Sequence, residues 1–357
     1  MTAKQYELLR QFSIRGTPVS CERCGSGHIN ETYCVRTDAP HRYILQKISA
    51  EAFKDVPGLM NNICLVTDYL RRKSDCPDHV MNIVPACDGE SFRQVGEEYW
   101  RVYDYIEGAV ALEAPRCPHD FYESAIAFGD FQTKLEGFPV ERLVETIPNF
   151  HNTVDRYRIF REVLAKDPCG RAGDVREEIA FVLSREKEMG TLQRMRESGE
   201  LPTRVTHNDT KLNNVLLEEG TYKPLCVIDL DTVMPGLSLY DFGDAIRFGA
   251  ATAAEDERDL DKVEMSLEMF REFTRGFLAA CTTLTRREVE LLPLGAKTMT
   301  MECGIRFLTD YLDGDHYFAI HREGHNLDRC RTQFKLVRDM EAKWEEMQKI
   351  VKEESGR

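Results

Sequence analysis

The sequence predicts an α+β protein with two lobes, a small β-rich lobe over residues 1–107 and a larger, mainly helical lobe over residues 108–357. Three observations support this prediction. The 357 residues exceed the usual size of one domain. β-Branched and aromatic residues dominate the strand-like runs of the first part, whereas apolar residues at helical spacing dominate the remainder. A short strand-like hairpin at residues 204–231 interrupts the helical part.

The first lobe is predicted to contain strands, one helix and a second strand pair. The runs YCVRT and RYILQKI are rich in residues that favour strands. Leu59, Ile63, Val66 and Leu70 then recur at helical spacing, which predicts a helix with one buried face. The stretch SFRQVGEEYWRVYDYIEG has a turn between two β-rich runs, and Gly108 closes it. We place the hinge between the lobes there.

The second lobe is predicted to be helical outside the hairpin. Residues 121–135 place five apolar side chains on one helical stripe. The segment 334–351 keeps the same spacing of three and four, which predicts one long terminal helix that packs in the core.

The composition limits the classes of partner. Acidic residues outnumber basic ones, 61 to 47, the formal net charge is −14, and no basic stripe stands out, so we expect no nucleic-acid partner. The apolar runs are far shorter than a membrane span, and the N-terminal stretch MTAKQYELLRQFSIRG lacks an apolar signal core. We therefore expect a cytoplasmic protein that does not enter a membrane. The 12 scattered cysteines predict reduced thiols and no disulfide framework.

The stretch THNDTKLNNVLLEEGTYKPLCVIDLDT, residues 206–232, holds an unusual density of oxygen ligands. Magnesium usually takes one or two carboxylates together with phosphate oxygens. In kinase-type phosphoryl transfer, a loop Asp accepts the proton of the acceptor hydroxyl, a nearby Asn holds metal, and another Asp holds metal. Asp209, Asn214 and Asp229 fit these three roles in this order.

Other residues around this stretch are interpreted separately. Asp231 either assists a second metal or acts as a turn or capping acid before Pro235, and the sequence leaves both open. Asp241 opens the tripeptide Asp-Phe-Gly, which binds metal in protein kinases, but here it begins a helix-like run. We therefore interpret Asp241 and Asp244 as capping or packing residues. His207 is expected to brace the loop.

A hairpin that covers phosphate groups is expected near the N-terminus. The run CGSGHINETYCV places Gly25 and Gly27 ahead of a β-rich segment. Because glycine lets backbone N–H groups approach phosphate oxygens, we expect these two residues to bind nucleotide. An ordinary β-turn is the alternative, since two glycines mark many turns.

The residues His207-Asn208-Asp209, Asn214 and Ile228-Asp229 resemble the catalytic pattern of the aminoglycoside phosphotransferase and choline kinase-like family. Within that family, the stretches GSGHINETY, RVTHNDTKLNN, IDLDTVMPG and DFGDAIRFGA resemble the members that phosphorylate N-acetylhexosamines, and the similarity runs over nearly the whole chain. The resemblance implies a protein kinase-like fold and a phosphotransferase with an alcohol group as acceptor. ATP and Mg²⁺ would be the cofactors, and the C1 hydroxyl of N-acetylglucosamine or N-acetylgalactosamine would be the acceptor.

The resemblance also implies roles for the nucleotide-binding residues. Main-chain groups at Asp104, Tyr105 and Ile106 would hydrogen-bond the adenine. The phosphate-pairing lysine of the family falls at Gln46 or Lys47, which point to opposite faces of a strand. Lys47 reaches phosphate only if a bulge shifts the register, and otherwise Gln46 lines the cleft.

The acceptor would be held by residues of the second lobe. Asp209 would align its hydroxyl and take the proton. Asn208, where many relatives have glycine, borders that carboxylate. Arg306, Asp310 and Tyr317 would offer a planar donor, an acceptor and an aromatic face, with lobe packing as the alternative.

Two rival functions stay open. One is a kinase of the same fold that acts on choline, homoserine, a thiosugar or an aminoglycoside. The other is a nucleotide- or sugar-binding module without turnover, because the Lys–Glu pair expected in RYILQK and LMNNICLVTDYL is not identifiable.

Overall fold

The structure is a computed structural model that describes residues 1–25 and 29–356. It forms two compact units. The first comprises Met1–Val110, Gly137–Pro148 and Leu216–Pro235, and the second comprises Ala111–Glu136, Asn149–Val215 and Gly236–Arg357. Relative to the predicted division after residue 107, the first unit also takes in two later segments. The longer of them belongs there because its strands extend a small sheet that starts at residue 109.

The strands are β1 (Pro18–Arg23), β2 (Glu31–Thr37), β3 (Arg42–Ile48), β4 (Ile83–Val84), β5 (Arg93–Val95), β6 (Glu98–Asp104), β7 (Ala109–Ala111), β8 (Arg204–Thr206), β9 (Val215–Glu218), β10 (Pro224–Val227) and β11 (Met234–Gly236). The helices are α1 (Ala3–Leu9), α2 (Val56–Lys73), α3 (Pro118–Lys134), α4 (Thr153–Lys166), α5 (Arg176–Leu183), α6 (Glu186–Met189), α7 (Thr191–Glu197), α8 (Ser238–Gly249), α9 (Leu267–Ala280), α10 (Arg286–Glu290), α11 (Leu292–Asp313), α12 (His325–Ala342) and α13 (Trp344–Ser355).

The first unit is built on an antiparallel sheet with the order β1-β2-β3-β6-β4, and β5 pairs with β6. The predicted strands YCVRT and RYILQKI are β2 and β3. The register of β3 and β6 places Gln46 opposite Arg101 and Lys47 opposite Trp100. Directly opposed residues share a face, so Gln46 and Arg101 project from one face of the sheet and Lys47 from the other. Helix α2 buries its four predicted apolar residues completely or nearly so.

The second unit is mainly helical. Helix α3 carries the predicted apolar stripe and packs against α9, while α11 packs against α8 and α12. Helices α8 and α11 approach closely because both have glycine at the contact. A Cβ atom on Gly243 would lie 2.4 Å from the carbonyl oxygen of Gly295. The α+β class, with a β-rich N-terminal part and a helical C-terminal part, is therefore confirmed.

The prediction of one long terminal helix is wrong, because α12 and α13 are separate helices. Lys343 stands between them with φ −97° and ψ 17°. Its Nζ contacts Asp339 at 2.8 Å and the carbonyl oxygen of Met265 at 2.9 Å, and these contacts hold the chain at the break. No helix in residues 1–25 and 29–356 combines the length and apolar composition needed to cross a membrane.

Candidate active site

The loop that follows β8, residues 207–214, is held by a buried carboxylate from α8. Asp241 accepts hydrogen bonds from the backbone N–H groups of His207 at 3.0 Å and Asn208 at 2.8 Å. It also accepts one from Gln132 Nε2 at 2.7 Å, so both of its carboxylate oxygens are used within the second unit. Asp241, which begins the Asp-Phe-Gly tripeptide, thus braces the loop through buried hydrogen bonds, which fits the packing interpretation.

Asp209 lies in this loop with its side chain 28% exposed. Its carboxylate pairs with Lys211 Nζ at 2.7 Å. Asn214 donates its Nδ2 to the Asp209 carbonyl oxygen at 2.8 Å and to the Asp209 carboxylate at 3.1 Å. Burial alone would raise the pKa of the Asp209 carboxyl, but the Lys211 ammonium, His207 and Arg247 together hold that pKa below its usual value. The carboxylate is therefore ionised near neutral pH and can accept a proton.

His207 is fully buried behind the loop. Its ring packs edge-on against Phe128 and Phe131, with centroids 5.5 and 6.0 Å apart. Its Nδ1 accepts the backbone N–H of Asp209 at 3.3 Å. This contact is the bracing role that the sequence predicts, and it fixes the backbone from which the Asp209 carboxylate projects.

Asn208 adopts a left-handed backbone conformation, with φ 65°. Only Gly, and less often Asn or Asp, enters this region at low cost, so Asn is one of the few residue types that this position accepts. The Asn208 side chain is 3% exposed and turns back to Thr206, through Thr206 Oγ1 at 2.9 Å and the Thr206 carbonyl at 3.2 Å. Its predicted contact with the acceptor stays a prediction.

A second buried chain of polar groups supports the loop from α4 and α11. His151 Nε2 lies 3.1 Å from the Asn208 carbonyl oxygen, and His151 Nδ1 lies 2.8 Å from Glu302. Thr153 Oγ1 donates to the other Glu302 oxygen at 2.7 Å. Burial would raise the pKa of Glu302, but His151 and two nearby arginines lower it below its usual value. Glu302 is thus ionised, and both of its oxygens are engaged by His151 and Thr153.

Arg306 lies one turn after Glu302 on α11 and is surrounded by aromatic rings. Its guanidinium carbon is 5.2 Å from the Phe150 ring centre, 5.6 Å from Tyr317 and 5.3 Å from Phe318. Arg306 Nη2 also contacts the Tyr317 hydroxyl at 3.3 Å, and Tyr317 is 63% exposed. The structure therefore brings together two of the residues that the sequence selected for the acceptor, Arg306 and Tyr317.

Asp310, the third member of that set, is buried and has a structural role. It accepts the backbone N–H groups of His316, Tyr317 and Phe318 at 2.8 to 2.9 Å. Asn326 Nδ2 donates to it as well, at 2.9 Å. Asp310 thus shapes the loop that presents Tyr317.

In the first unit, Asp229 follows β10 in a left-handed conformation, with φ 58° and ψ 57°, and is exposed. Asp231, two residues later, is buried. Arg101 Nη1 lies 2.6 Å from Asp231 Oδ1, and the two side chains are 1% and 4% exposed. Asn30 Nδ2 donates to Asp231 Oδ2 at 2.6 Å. Arg101 and Asp231 thus form an ion pair that is almost completely buried.

Arg101 is also held by β3. Gln46 Oε1 accepts from Arg101 Nε at 3.0 Å and from Nη2 at 2.8 Å, while Gln46 Nε2 donates to Thr32. Burial alone would lower the pKa of Arg101, but the Asp231 carboxylate raises it above its usual value. On the other face of β3, Lys47 pairs with Glu98 at 3.1 Å and Glu31 at 3.3 Å.

The β3–β6 register runs without a shift across both residues, so no bulge turns Lys47 towards the face of Gln46. Its predicted contact with nucleotide stays a prediction, and the geometry favours the alternative in which Gln46 takes the inner position.

The remaining nucleotide-binding predictions fall at a turn and at the end of β6. Gly25 has φ 80° and open space at its Cβ position, and Gly27 lies outside the described residues. The N–H groups of Asp104 and Tyr105 donate to the carbonyls of Asn82 and Arg42 at 3.0 and 3.1 Å. These two N–H groups are already engaged, and base recognition by residues 104–106 stays a prediction.

The two predicted magnesium ligands, Asn214 in the second unit and Asp229 in the first, each suit an ion that is bound mainly through phosphate, and their joint role stays a prediction. Neither hydrogen bond of Asn214 uses its amide oxygen, and the Asp229 side chain is exposed. No cluster of three or more His, Cys, Asp or Glu side chains suited to a metal occurs in the part of the chain that the structure describes. Magnesium seldom uses such all-protein cages, and phosphate oxygens and water complete its octahedron.

Two side chains of this region were missed by the sequence analysis. Lys211 stands two residues after Asp209, and this short spacing is a signal that could have identified it. Arg101 gives no comparable signal, because the carboxylate that it pairs with is far away in the sequence.

Several solved structures of small-molecule kinases have a similar fold. A microcompartment-associated aminopropanol kinase is 17% identical over 96% of this chain and 98% of that chain, with a TM-score of 0.67. An amicoumacin kinase in complex with AMP-PNP, Ca²⁺ and Ami is 14% identical over 94% and 93%, with a TM-score of 0.60. A Plasmodium vivax ethanolamine kinase is 13% identical over 88% and 82%, with a TM-score of 0.55. At these identities the likeness shows the fold alone, which is the predicted kinase-like fold.

A family match carries further. The model of the phosphotransferase enzyme family APH matches residues 20–276, more than half of the chain. The matched range contains the loop with Asp209 and Asn214 and the turn with Asp229. The chain belongs to the phosphotransferase enzyme family APH.

Proposed function

We propose that this phosphotransferase is an N-acetylhexosamine 1-kinase, which transfers the γ-phosphate of ATP to the C1 hydroxyl of N-acetylglucosamine or N-acetylgalactosamine. The resemblance of the sequence motifs supports this acceptor. The observation that carries the proposal is the cluster of cationic and aromatic side chains around Arg306, which adjoins the loop of Asp209.

The cluster is connected to the loop by direct contacts. Phe150, whose ring lies 5.2 Å from the Arg306 guanidinium, also packs on His151 with ring centres 4.4 Å apart. His151 in turn contacts the carbonyl oxygen of Asn208, next to Asp209. An acceptor at Arg306 would therefore be close to the proposed base.

The charge of the cluster discriminates between acceptor classes. Arg156 donates to the Phe150 carbonyl at 2.9 Å. Its pKa is lowered, mainly by burial and next by the positive charge of Arg306. The two arginines are thus close enough to repel each other. A cationic amine would be opposed by this charge, whereas the hydroxyl and amide oxygens of an N-acetylhexosamine accept hydrogen bonds from guanidinium groups. The acidic residue nearby, Glu302, is already used by His151 and Thr153.

The reaction assigns one role to each residue. The C1 oxygen forms a bond to the γ-phosphorus, the bond from that phosphorus to the bridging oxygen breaks, and ADP leaves. Asp209 orients the attacking hydroxyl and takes its proton. Asn214 and Asp229 would hold Mg²⁺, which supplies electrostatic neutralisation of the phosphate oxygens. Lys211, paired with Asp209 at 2.7 Å, would stabilise charge beside the transferred group.

The nucleotide would be held by the first unit. We propose that Gly25 and Gly27 approach the phosphates and that the segment Asp104, Tyr105 and Ile106 receives the adenine. Gln46 lines the phosphate-facing side of β3 in this proposal, and Lys47 remains in its ion pairs with Glu31 and Glu98.

An acceptor panel tests the function. ADP release with Mg·ATP would be measured for N-acetylglucosamine, N-acetylgalactosamine, glucose, choline, ethanolamine and homoserine. We expect the highest kcat/KM for the two N-acetylhexosamines. Preferred turnover of choline or ethanolamine would refute the acceptor and retain the kinase, while no turnover of any acceptor would refute the proposed function.

A variant sharpens this test. Arg306→Met should lower kcat/KM for N-acetylglucosamine by about tenfold or more, because a hydrogen bond from a charged donor contributes about 1.5–3 kcal/mol. Arg158→Met is the matched control, since Arg158 is 57% exposed and forms its ion pairs with Asp155 and Glu162 on its own helix. Equal kcat/KM values for the two variants would remove Arg306 from the acceptor site.

A further inference from the structure

The first unit contains a buried ion pair that has no role in the proposed reaction as described above. In protein kinases a lysine on the third strand pairs with a glutamate on the following helix, and both must be in place for catalysis. Here β3 has Gln46 at the inner position, and the α2 residue that reaches the same cluster is Met60, whose Sδ lies 3.9 Å from Arg101 Nη1. Neither the cation nor the anion of that pair is in its usual place.

The asparagines of α2 do not replace the missing anion. Asn62 is completely buried, and its Nδ2 donates to the carbonyls of Val144 at 2.8 Å and Val233 at 3.0 Å. Its Oδ1 accepts the N–H of Val144 at 3.0 Å. Asn62 is therefore a structural tie with its amide group in use.

A cation and an anion do meet at this position, from other elements. Arg101 comes from β6 and stands opposite Gln46, and Asp231 comes from the turn that begins at Asp229. Gln46 holds two of the guanidinium nitrogens, and Asn30 holds the second oxygen of Asp231. β3, β6 and the turn at Asp229 are thus joined by one buried polar network.

One atom of this cluster, Tyr103 Oη, is buried without a hydrogen-bond partner within the described residues. Tyr103 is 5% exposed, and the Arg101 guanidinium carbon lies 5.0 Å from its ring centre. Leaving a buried polar atom without a partner is costly. The Tyr103 hydroxyl is therefore a further polar group buried beside Arg101.

The turn at Asp229 needs support. A left-handed conformation is unfavourable at a residue other than glycine and persists only where surrounding contacts impose it. Asp231 is anchored by Arg101 and Asn30 through its side chain, and its carbonyl oxygen accepts from Thr146 Oγ1 at 3.0 Å. These anchors fix the turn two residues beyond Asp229.

We propose that the Arg101–Asp231 ion pair replaces the lysine–glutamate pair and that Arg101 is a positioning residue for the metal-binding turn. Arg101 acts through Asp231, which holds Asp229 in the conformation that binds Mg²⁺ together with the nucleotide. The inference rests on the proposed function only in assigning Asp229 to the metal. It does not depend on the identity of the acceptor.

The test separates metal-dependent binding from binding of the nucleotide alone. Calorimetric titration would measure the affinity for AMP-PNP in EDTA and in Mg²⁺, with no acceptor present. We expect Arg101→Met to bind AMP-PNP in EDTA with an affinity within about twofold of that of the wild type. The increase in affinity on adding Mg²⁺ should be smaller than in the wild type by a factor of at least about ten, equivalent to about 1.4 kcal/mol. A merely structural role would weaken both affinities equally.

Two further variants complete the experiment. Arg101→Lys keeps the charge beside Asp231 but cannot make the forked contact with Gln46, so it should lose a smaller part of the Mg²⁺-dependent gain. It decides the question if Arg101→Met does not fold. Arg93→Met is the control, since Arg93 forms an ion pair with Asp88 on the same sheet and should bind like the wild type.

The proposal would be overturned if folded Arg101→Lys and Arg101→Met gained as much AMP-PNP affinity from Mg²⁺ as the wild type does. It would also be overturned if the affinity fell equally in EDTA and in Mg²⁺. Because no acceptor is used, failure of the sugar assignment leaves this result intact. If the wild type itself shows no Mg²⁺-dependent gain, the proposed metal role of Asp229 fails, and the inference fails with it.

Discussion

The loop at Asp209 and the ion pair at Arg101 both keep charged side chains away from water, but to different degrees. Asp209 and Lys211 remain 28% and 33% exposed, whereas Arg101 and Asp231 are 1% and 4% exposed. A partly exposed carboxylate can meet a substrate and release a proton. A sealed ion pair can do neither, and its contacts instead fix the position of neighbouring backbone.

The supports of the two regions differ as well. The loop is held by carboxylates whose oxygens are well satisfied, such as Asp241 with three hydrogen bonds. The turn at Asp229 is held instead by the ion pair of Arg101 with Asp231, at 2.6 Å. The difference teaches that hydrogen bonds to buried carboxylates fix the loop, whereas a buried ion pair fixes the turn at Asp229.

The largest expected effect is on chemistry at the loop. Asp209→Asn removes the proposed base while keeping the size of the side chain, so kcat should fall by about 10²–10⁴-fold. Binding of Mg·AMP-PNP should change little. Steady-state kinetics and calorimetry measure the two quantities, with the exposed Asp130→Asn as control. If Asp209→Asn turns over ATP and acceptor like the wild type, Asp209 is not the base.

The next effect is on stability in the first unit. Arg101→Met leaves the Asp231 carboxylate buried without its cation, which should cost about 3–5 kcal/mol of unfolding free energy. The double variant Arg101→Met/Asp231→Asn removes both charges and should regain much of that loss. Chemical denaturation measures both. Arg93→Met should lose at most about 1 kcal/mol, since its partner Asp88 is 57% exposed. Equal losses in the three variants would contradict a special role for the buried pair.

A smaller effect is expected where α8, the helix that carries Asp241, packs against α11. In Gly243→Ala the new Cβ would meet the Gly295 carbonyl oxygen at 2.4 Å, so the helices must separate. Overpacking of this kind costs about 1–3 kcal/mol. Gly173→Ala is the control, because its Cβ meets nothing within 4 Å. Thermal unfolding compares the two, and equal stability would show that α8 and α11 are not in close contact there.

The smallest effect is on the pH dependence of the loop. The Lys211 ammonium helps to hold the pKa of Asp209 below its usual value, so the wild-type base stays ionised until the pH falls through that lowered pKa. Lys211→Met removes the ammonium and leaves burial, which raises the pKa. The acid limb of kcat should therefore move to higher pH, and Lys211→Arg should keep it near the wild-type position. If the acid limb of kcat does not move in Lys211→Met, Lys211 does not set the pKa of the base.

The two regions also differ in what the sequence could predict. Asp209 and Asn214 lie five residues apart, so their chemistry and spacing were visible in one short stretch. The strands β2 and β3 and helix α2 were visible as well, because each has its own periodicity. Tertiary contacts decide the rest, including the break at Lys343 that divides the terminal helix.

Arg101 shows why the sequence was insufficient for the first unit. Arg101 lies in a strand without unusual sequence features, so the sequence predicts a surface charge. Only the fold brings it to Asp231. The same argument applies to Gln46, whose role depends on the register of β3 with β6. The sequence left the choice between Gln46 and Lys47 open because alternation alone does not say which face of a strand is inward.

The most direct test of the account is the position of the transferred phosphate. Wild-type enzyme would be incubated with Mg·ATP and N-acetylglucosamine, and phosphorus NMR would identify the carbon that carries the new phosphate, with Asp209→Asn as a parallel reaction. The account predicts a phosphate on C1 and almost none with the variant. A phosphate on another carbon, or the same C1 product at the same rate from Asp209→Asn, would contradict it.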